Sequence, residues 1–79
     1  MRFLNIGFDN MVALDKIVAI VSSEGASSKR LIQYAKENHY LIDATTGRKT
    51  RSLIVTSDHY VLLSAIQADT LVSRVEDII

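Results

Sequence analysis

"TRSLIVTSDHYVLLSAI" (residues 50–66) sets two apolar, β-branched-rich runs on either side of a short polar break, Ser57-Asp58-His59. Runs of this length read as strands, over 50–56 and 60–66, and so short a break joins them as an antiparallel hairpin. Successive strand residues point to opposite faces. Leu53, Ile54, Val55, Val61, Leu62, Leu63, Ala65 and Ile66 therefore make both faces apolar, and the hairpin predicts a sheet covered on two sides.

Working outward, "YLIDAT" (40–45) supplies a strand before the hairpin. "KIVAIVSS" (16–23) is nearly continuous in apolar residues and closed by two serines, which predicts a strand buried on both faces. "RFLNI" (2–6) reads as a short strand ending at Gly7, with a turn around Asp9 and Asn10 leading to the next strand. "SSKRLIQYAKENH" (27–39) opens on a serine cap, Ser27 or Ser28, and segregates Leu31, Ile32 and Ala35 from Lys29, Arg30, Gln33, Lys36 and Glu37, so it predicts an amphipathic helix. "QADTLVSRVEDII" (67–79) repeats that logic with Leu71, Val72, Val75, Ile78 and Ile79, and Asp69 lies in the first turn, where the helix dipole favours an anion.

The predicted class is α+β: a small, mainly antiparallel sheet with two amphipathic helices, in the order ββαβββα, forming one domain over 1–79. Two helices of about three turns cover one sheet face well and the other poorly. That shortage predicts a second copy of the chain on the remaining face; helices on opposite faces would instead give a monomer.

A chain of 79 residues without cysteine has neither a disulfide nor a thiolate metal site to reinforce it, which leaves efficient packing or oligomerisation. "MRFLNIGFDN" is too short and too polar for a secretion signal, and no apolar run approaches the roughly 18 to 20 residues that cross a bilayer. The expectation is a soluble cytoplasmic protein with no membrane partner.

Catalytic groups are sparse. His39 falls at the end of the first helix, where imidazoles serve terminal carbonyls, and His59 sits with Asp58 in the hairpin break. No HExxH, GxSxG, P-loop or GxGxxG occurs, and no His or carboxylate pair has metal-ligand spacing. The sequence thus predicts no enzyme, catalytic residue, metal or cofactor.

Formal net charge is zero but unevenly distributed. Residues 29–51 carry Lys29, Arg30, Lys36, Arg48, Lys49 and Arg51 against Glu37 and Asp43, whereas 52–79 carry only Arg74 against Asp58, Asp69, Glu76 and Asp77. Such polarisation makes a strong local field. Within "ATTGRKTRSL" (44–53), Gly47 relaxes a turn, Lys49 and Arg51 share strand parity, and Arg48 sits on the turn. Arginine forks and a lysine point charge suit phosphate oxygens. Spacing and charge alone leave open a solvated turn, a nucleic-acid contact or a site for a phosphate-bearing metabolite.

"FLNIGFDNMV", "IVAIVSSEGASSKRLIQYAKE" and "LIDATTGRKTRSLIVTSDHYVLLSAIQADTL" closely resemble the RemA-type family of bacterial extracellular-matrix regulators. The most specific parts are N-I-G-F-x-N, L-I-D-A-T-x-G-R-(R/K)-T-R and S-D-H-x-x-L-S-A-x-Q-x-x-T. The resemblance implies a DNA-binding activator of biofilm-matrix genes that assembles into ring-like homo-oligomers. Carried over by position, it implies DNA contact by Arg48 and Lys49, with Arg51 matching the following basic residue, and a role in assembly or activity for Lys16, where relatives have arginine. This sequence departs from the family pattern in reading "SSEGASS" (22–28) where both prolines of S-P-E-S-A-P stand. It also has Thr46 in place of a common aromatic, and Lys49 in place of a second arginine.

Overall fold

In the computed structural model, which describes residues 1–79, the hairpin read from 50–66 is the centre of the main sheet. Along the chain run β1 (Phe3–Asn5), β2 (Met11–Ala13), a 3-10 turn (Leu14–Lys16), β3 (Ile17–Ser22) and α1 (Ala26–Glu37). They are followed by β4 (Leu41–Asp43), β5 (Ser52–Thr56), β6 (Val61–Ser64) and α2 (Ala68–Ile78). β5 and β6 pair antiparallel, with Leu53 opposite Leu63 and Val55 opposite Val61. β3 joins β5 antiparallel and β4 joins β6 parallel, giving a four-stranded sheet in the order β3-β5-β6-β4.

Strand parity then decides the packing. Leu53, Val61 and Leu63 face α1 and bury Ala35, with Leu31 and Ile32 packed around them. Ile54, on the opposite parity, faces Leu71 of α2 together with Leu4, Ile6 and Val12 from β1, the β1–β2 turn and β2. The α+β class and two amphipathic helices are as expected, but the helices lie on opposite faces of the sheet. Each face has its cover within one chain, so an uncovered face does not by itself call for a second copy.

Four local expectations are corrected. β1 pairs not with β3 but with β2, a strand the sequence pattern does not predict, and the two form a separate hairpin around the expected turn at Asp9 and Asn10. β3 is not buried on both faces: it has a sheet partner on one side only, and its register with β5 shifts between Ile17 and Ala19, leaving Val18 66% exposed. No serine caps α1. Its N-cap is Gly25, and the Ser28 hydroxyl instead donates to the Ser22 carbonyl at 2.6 Å, tying the helix to the end of β3. At the other end Asn38, rather than His39, sends its side-chain amide to the Tyr34 carbonyl.

Candidate nucleic-acid interface

β4 and β5 are consecutive in the chain but separated in the sheet by β6. Residues 44–51 must therefore cross over the end of β6, and this crossing carries Arg48, Lys49 and Arg51. Its start is braced by Asp43, whose Oδ1 accepts from the Thr45 hydroxyl at 2.6 Å and the Thr45 amide at 2.9 Å. These bonds, the hydroxyl first and the amide second, hold the Asp43 carboxyl below its ordinary pKa, against a smaller opposing effect of burial.

A tight turn follows. The Arg48 amide donates to the Thr45 carbonyl at 3.0 Å, and the two central residues, Thr46 and Gly47, have φ of 54° and 81°. Two successive positive φ values mark a turn of the I′ kind, which glycine adopts freely and a β-branched residue does not. The crossing is anchored where it enters β5: the Arg51 amide donates to the Ser64 carbonyl at 2.8 Å, and the Arg51 carbonyl accepts from the Ser23 amide at 3.1 Å.

The crossing meets the β1–β2 turn. Gly7, Phe8, Arg48, Lys49, Arg51, Ala65 and Ile66 line a hollow of about 480 Å³. The Arg48 guanidinium carbon lies 5.9 Å from the centre of the Phe8 ring, within cation–π range. Gly7, at φ 107°, lets the turn approach closely, since a Cβ there would lie 3.3 Å from Ile66 Cδ1. None of the seven lining residues is acidic.

Two serines fix this arrangement from below. Ser52 and Ser64 are cross-strand partners, each with no solvent exposure. The Ser52 hydroxyl donates to the Ile66 carbonyl at 2.7 Å, and that of Ser64 donates to the Ile6 carbonyl at 2.8 Å while accepting the Ile66 amide at 3.1 Å. Both helices begin just after strands that end here: α1 after β3, and α2 after β6. Each helix start has an acidic residue beside it, Glu24 just before the N-cap of α1 and Asp69 in the first turn of α2.

The structure brings together Arg48, Lys49 and Arg51, as the sequence grouped them. Lys16 lies elsewhere: its carbonyl accepts the Ser57 amide at 2.9 Å, beside the turn at the far end of β5. About six extended residues, roughly 20 Å, separate Ser57 from Arg51. Sequence reasoning missed Phe8 and the two serines. The available signal was Gly-Phe between Asn5 and Asn10, two residues that cap tight turns.

The molecule is thus a small α+β domain that gathers three cations and an exposed aromatic ring at one end of its sheet. Residues 3–75 match the RemA-like family model, described as extracellular matrix regulatory protein A-like, and the chain belongs to that family. Proteins of Bacillus cytotoxicus, Bacillus mycoides and Bacillus cereus, each provisionally named a regulatory protein, are 52% identical to it over 77 residues, covering 98% of this chain and 88% of each relative. No helix is long and apolar enough to cross a membrane.

Proposed function

We propose that this chain is a cytoplasmic DNA-binding transcriptional regulator that activates extracellular-matrix genes and acts as a ring-like homo-oligomer. Arg48 and Lys49 contact phosphates or a groove, and Arg51 supports them. The observation that carries this reading is the hollow in which all three cations of the crossing converge beside Phe8 with no acidic side chain in the lining. Phosphate contacts supply most of the affinity, and deformability of the duplex contributes to target choice.

Three phosphate contacts give weak binding per subunit, so repetition of the hollow around an oligomer raises the effective affinity. Self-assembly is supported by the unpaired edge of β3, where Leu14, Ile17, Val18, Ala19, Ile20, Val72, Val75 and Ile79 line an apolar hollow of about 300 Å³. Lys16, at the start of that edge, is assigned to assembly rather than to the basic hollow.

Fluorescence anisotropy on mixed-sequence and A·T-rich duplexes at several salt concentrations tests the reading. Affinity should fall with salt by a log–log slope of about 0.9 for each phosphate neutralised, and Arg48→Ala with Lys49→Ala should remove about two such contacts per subunit. Equal binding by wild type and the double variant, without salt dependence, sinks the DNA reading. A second reading, a phosphate-bearing metabolite, is favoured by the size of the hollow, which falls in the range of small-molecule sites. It predicts saturable binding of nucleotides or sugar phosphates and no dependence on duplex length.

A further inference from the structure

We infer that Phe8 is a base-contacting wedge: its ring enters a step of the bound duplex, unstacks it and bends the DNA, while Arg48 holds a neighbouring phosphate. The inference rests on the DNA reading above and adds a residue, a mode of contact and a deformation to it.

The argument starts from the backbone. Phe8 has φ 53°, a value that residues with bulky side chains rarely adopt, whereas Asp9 beside it, at φ 64°, is of a type that tolerates it. A loop that only needed to reverse the chain would place glycine or asparagine there. Here the unfavourable conformation is enforced from both sides. Asn5 Oδ1 accepts the Gly7 amide at 2.8 Å, and Asn10 Nδ2 donates to the Gly7 carbonyl at 3.0 Å and the Phe8 carbonyl at 3.3 Å. The Ile6 amide donates to the Asn10 carbonyl at 2.9 Å, and Ser64 grips the Ile6 carbonyl from beneath.

What this framework holds in place is a phenyl ring 49% exposed to water. The ring contributes little to either core, and its one specific partner is a guanidinium 5.9 Å away. An aromatic surface beside cations fits a nucleotide, because phosphate oxygens go to the guanidinium and a base offers its π-face to the ring. In a duplex that base is accessible only if a step opens. Apolar wedges of this kind kink DNA, and pyrimidine–purine steps open at least cost. Thr46 leaves the neighbouring turn without an aromatic, and Phe8 brings one to the same hollow from a different segment.

The test uses the full chain and a duplex carrying 2-aminopurine at a central TA step, with donor and acceptor dyes on its ends. Wild type should raise the 2-aminopurine fluorescence and shorten the end-to-end distance. Phe8→Asn removes the ring and suits a positive φ, so the fold should persist with an undiminished unfolding midpoint. This variant should lose both signals and bind about tenfold more weakly, with the same salt slope as wild type because no phosphate contact is removed. Phe8→Ala should behave alike in both signals, and Phe8→Trp should retain them.

Unchanged affinity and bend in Phe8→Asn overturn the wedge, even where the Arg48→Ala, Lys49→Ala variant confirms the basic interface. A Phe8→Asn variant whose salt slope flattens like that of the double variant also overturns it, since the ring would then act only by orienting Arg48. Absence of any salt-dependent binding by wild type instead defeats the DNA reading itself.

Discussion

The Ser64 hydroxyl donates to the Ile6 carbonyl across 2.8 Å, joining residues 58 apart in the chain at a point with no solvent exposure. The same oxygen accepts the Ile66 amide at 3.1 Å, so one buried side chain satisfies a backbone group on each of two segments that border the basic hollow. Ser64→Ala leaves both groups without that partner and should cost about 1–3 kcal/mol in urea unfolding. It should also weaken DNA binding without changing the salt slope, because the turn bearing Phe8 loses its anchor while every cation remains.

Thr46 offers a gain. Its φ of 54° is unfavourable for a β-branched residue, and Asn-Gly is the preferred pair for a turn of this kind. Thr46→Asn should stabilise the fold by about 1 kcal/mol, seen as a higher denaturation midpoint. The charges of the crossing are untouched, so its salt slope for DNA should match that of wild type.

Asp43 links the crossing to pH. Hydrogen bonds from the Thr45 hydroxyl and amide lower its folded-state pKa from 3.8, so its contribution is fully present above the ordinary carboxylate value and is lost as pH falls through the lowered one. Asp43→Ala should be less stable than wild type at neutral pH. The difference should hold constant down to about pH 5 and shrink only below about pH 4. Thermal unfolding of both proteins across pH 3–7 checks this.

The β3 edge gives a test of assembly. Val18 is 66% exposed at the bulge, so a lysine there should leave the fold intact. Edge lysines oppose strand addition. Light scattering should show wild type as an oligomer at tens of micromolar and Val18→Lys shifted toward monomer; a monomeric wild type at that concentration rules out the ring.

The parts of this fold that were readable from sequence are those whose signal is local. The β5–β6 hairpin follows from two apolar runs and one polar break, and α2 from the spacing of Leu71, Val75 and Ile78. β2 was not readable, because three residues, Met11–Ala13, carry too little pattern and owe their strand conformation to pairing with Phe3–Asn5. Nor was the division of the helices between faces, since amphipathicity says which side of a helix is buried but not against what. At the site, Arg48, Lys49 and Arg51 were visible because they are neighbours in sequence. Phe8 reaches them only through the Gly7–Ile66 approach and the Ser64–Ile6 hydrogen bond, contacts between segments nearly 60 residues apart, with Ser52 holding Ile66 from below. Lys16 stood out by resemblance, and the 3-10 turn carries it to the other end of the sheet.

The crossing of residues 44–51 over β6 also sets an order of events as the chain emerges from synthesis, N-terminus first. When Arg48 and Lys49 have been made, the strand they must pass over has not. Once Ser52–Thr56 has followed, β4 and β5 are consecutive segments with an empty place between them, and only the arrival of Val61–Ser64 fills it, with the Ser64 carbonyl receiving the Arg51 amide. The cationic surface therefore needs Val61–Ser64 in place, and a chain that lacks this strand carries the charges without the geometry that aims them.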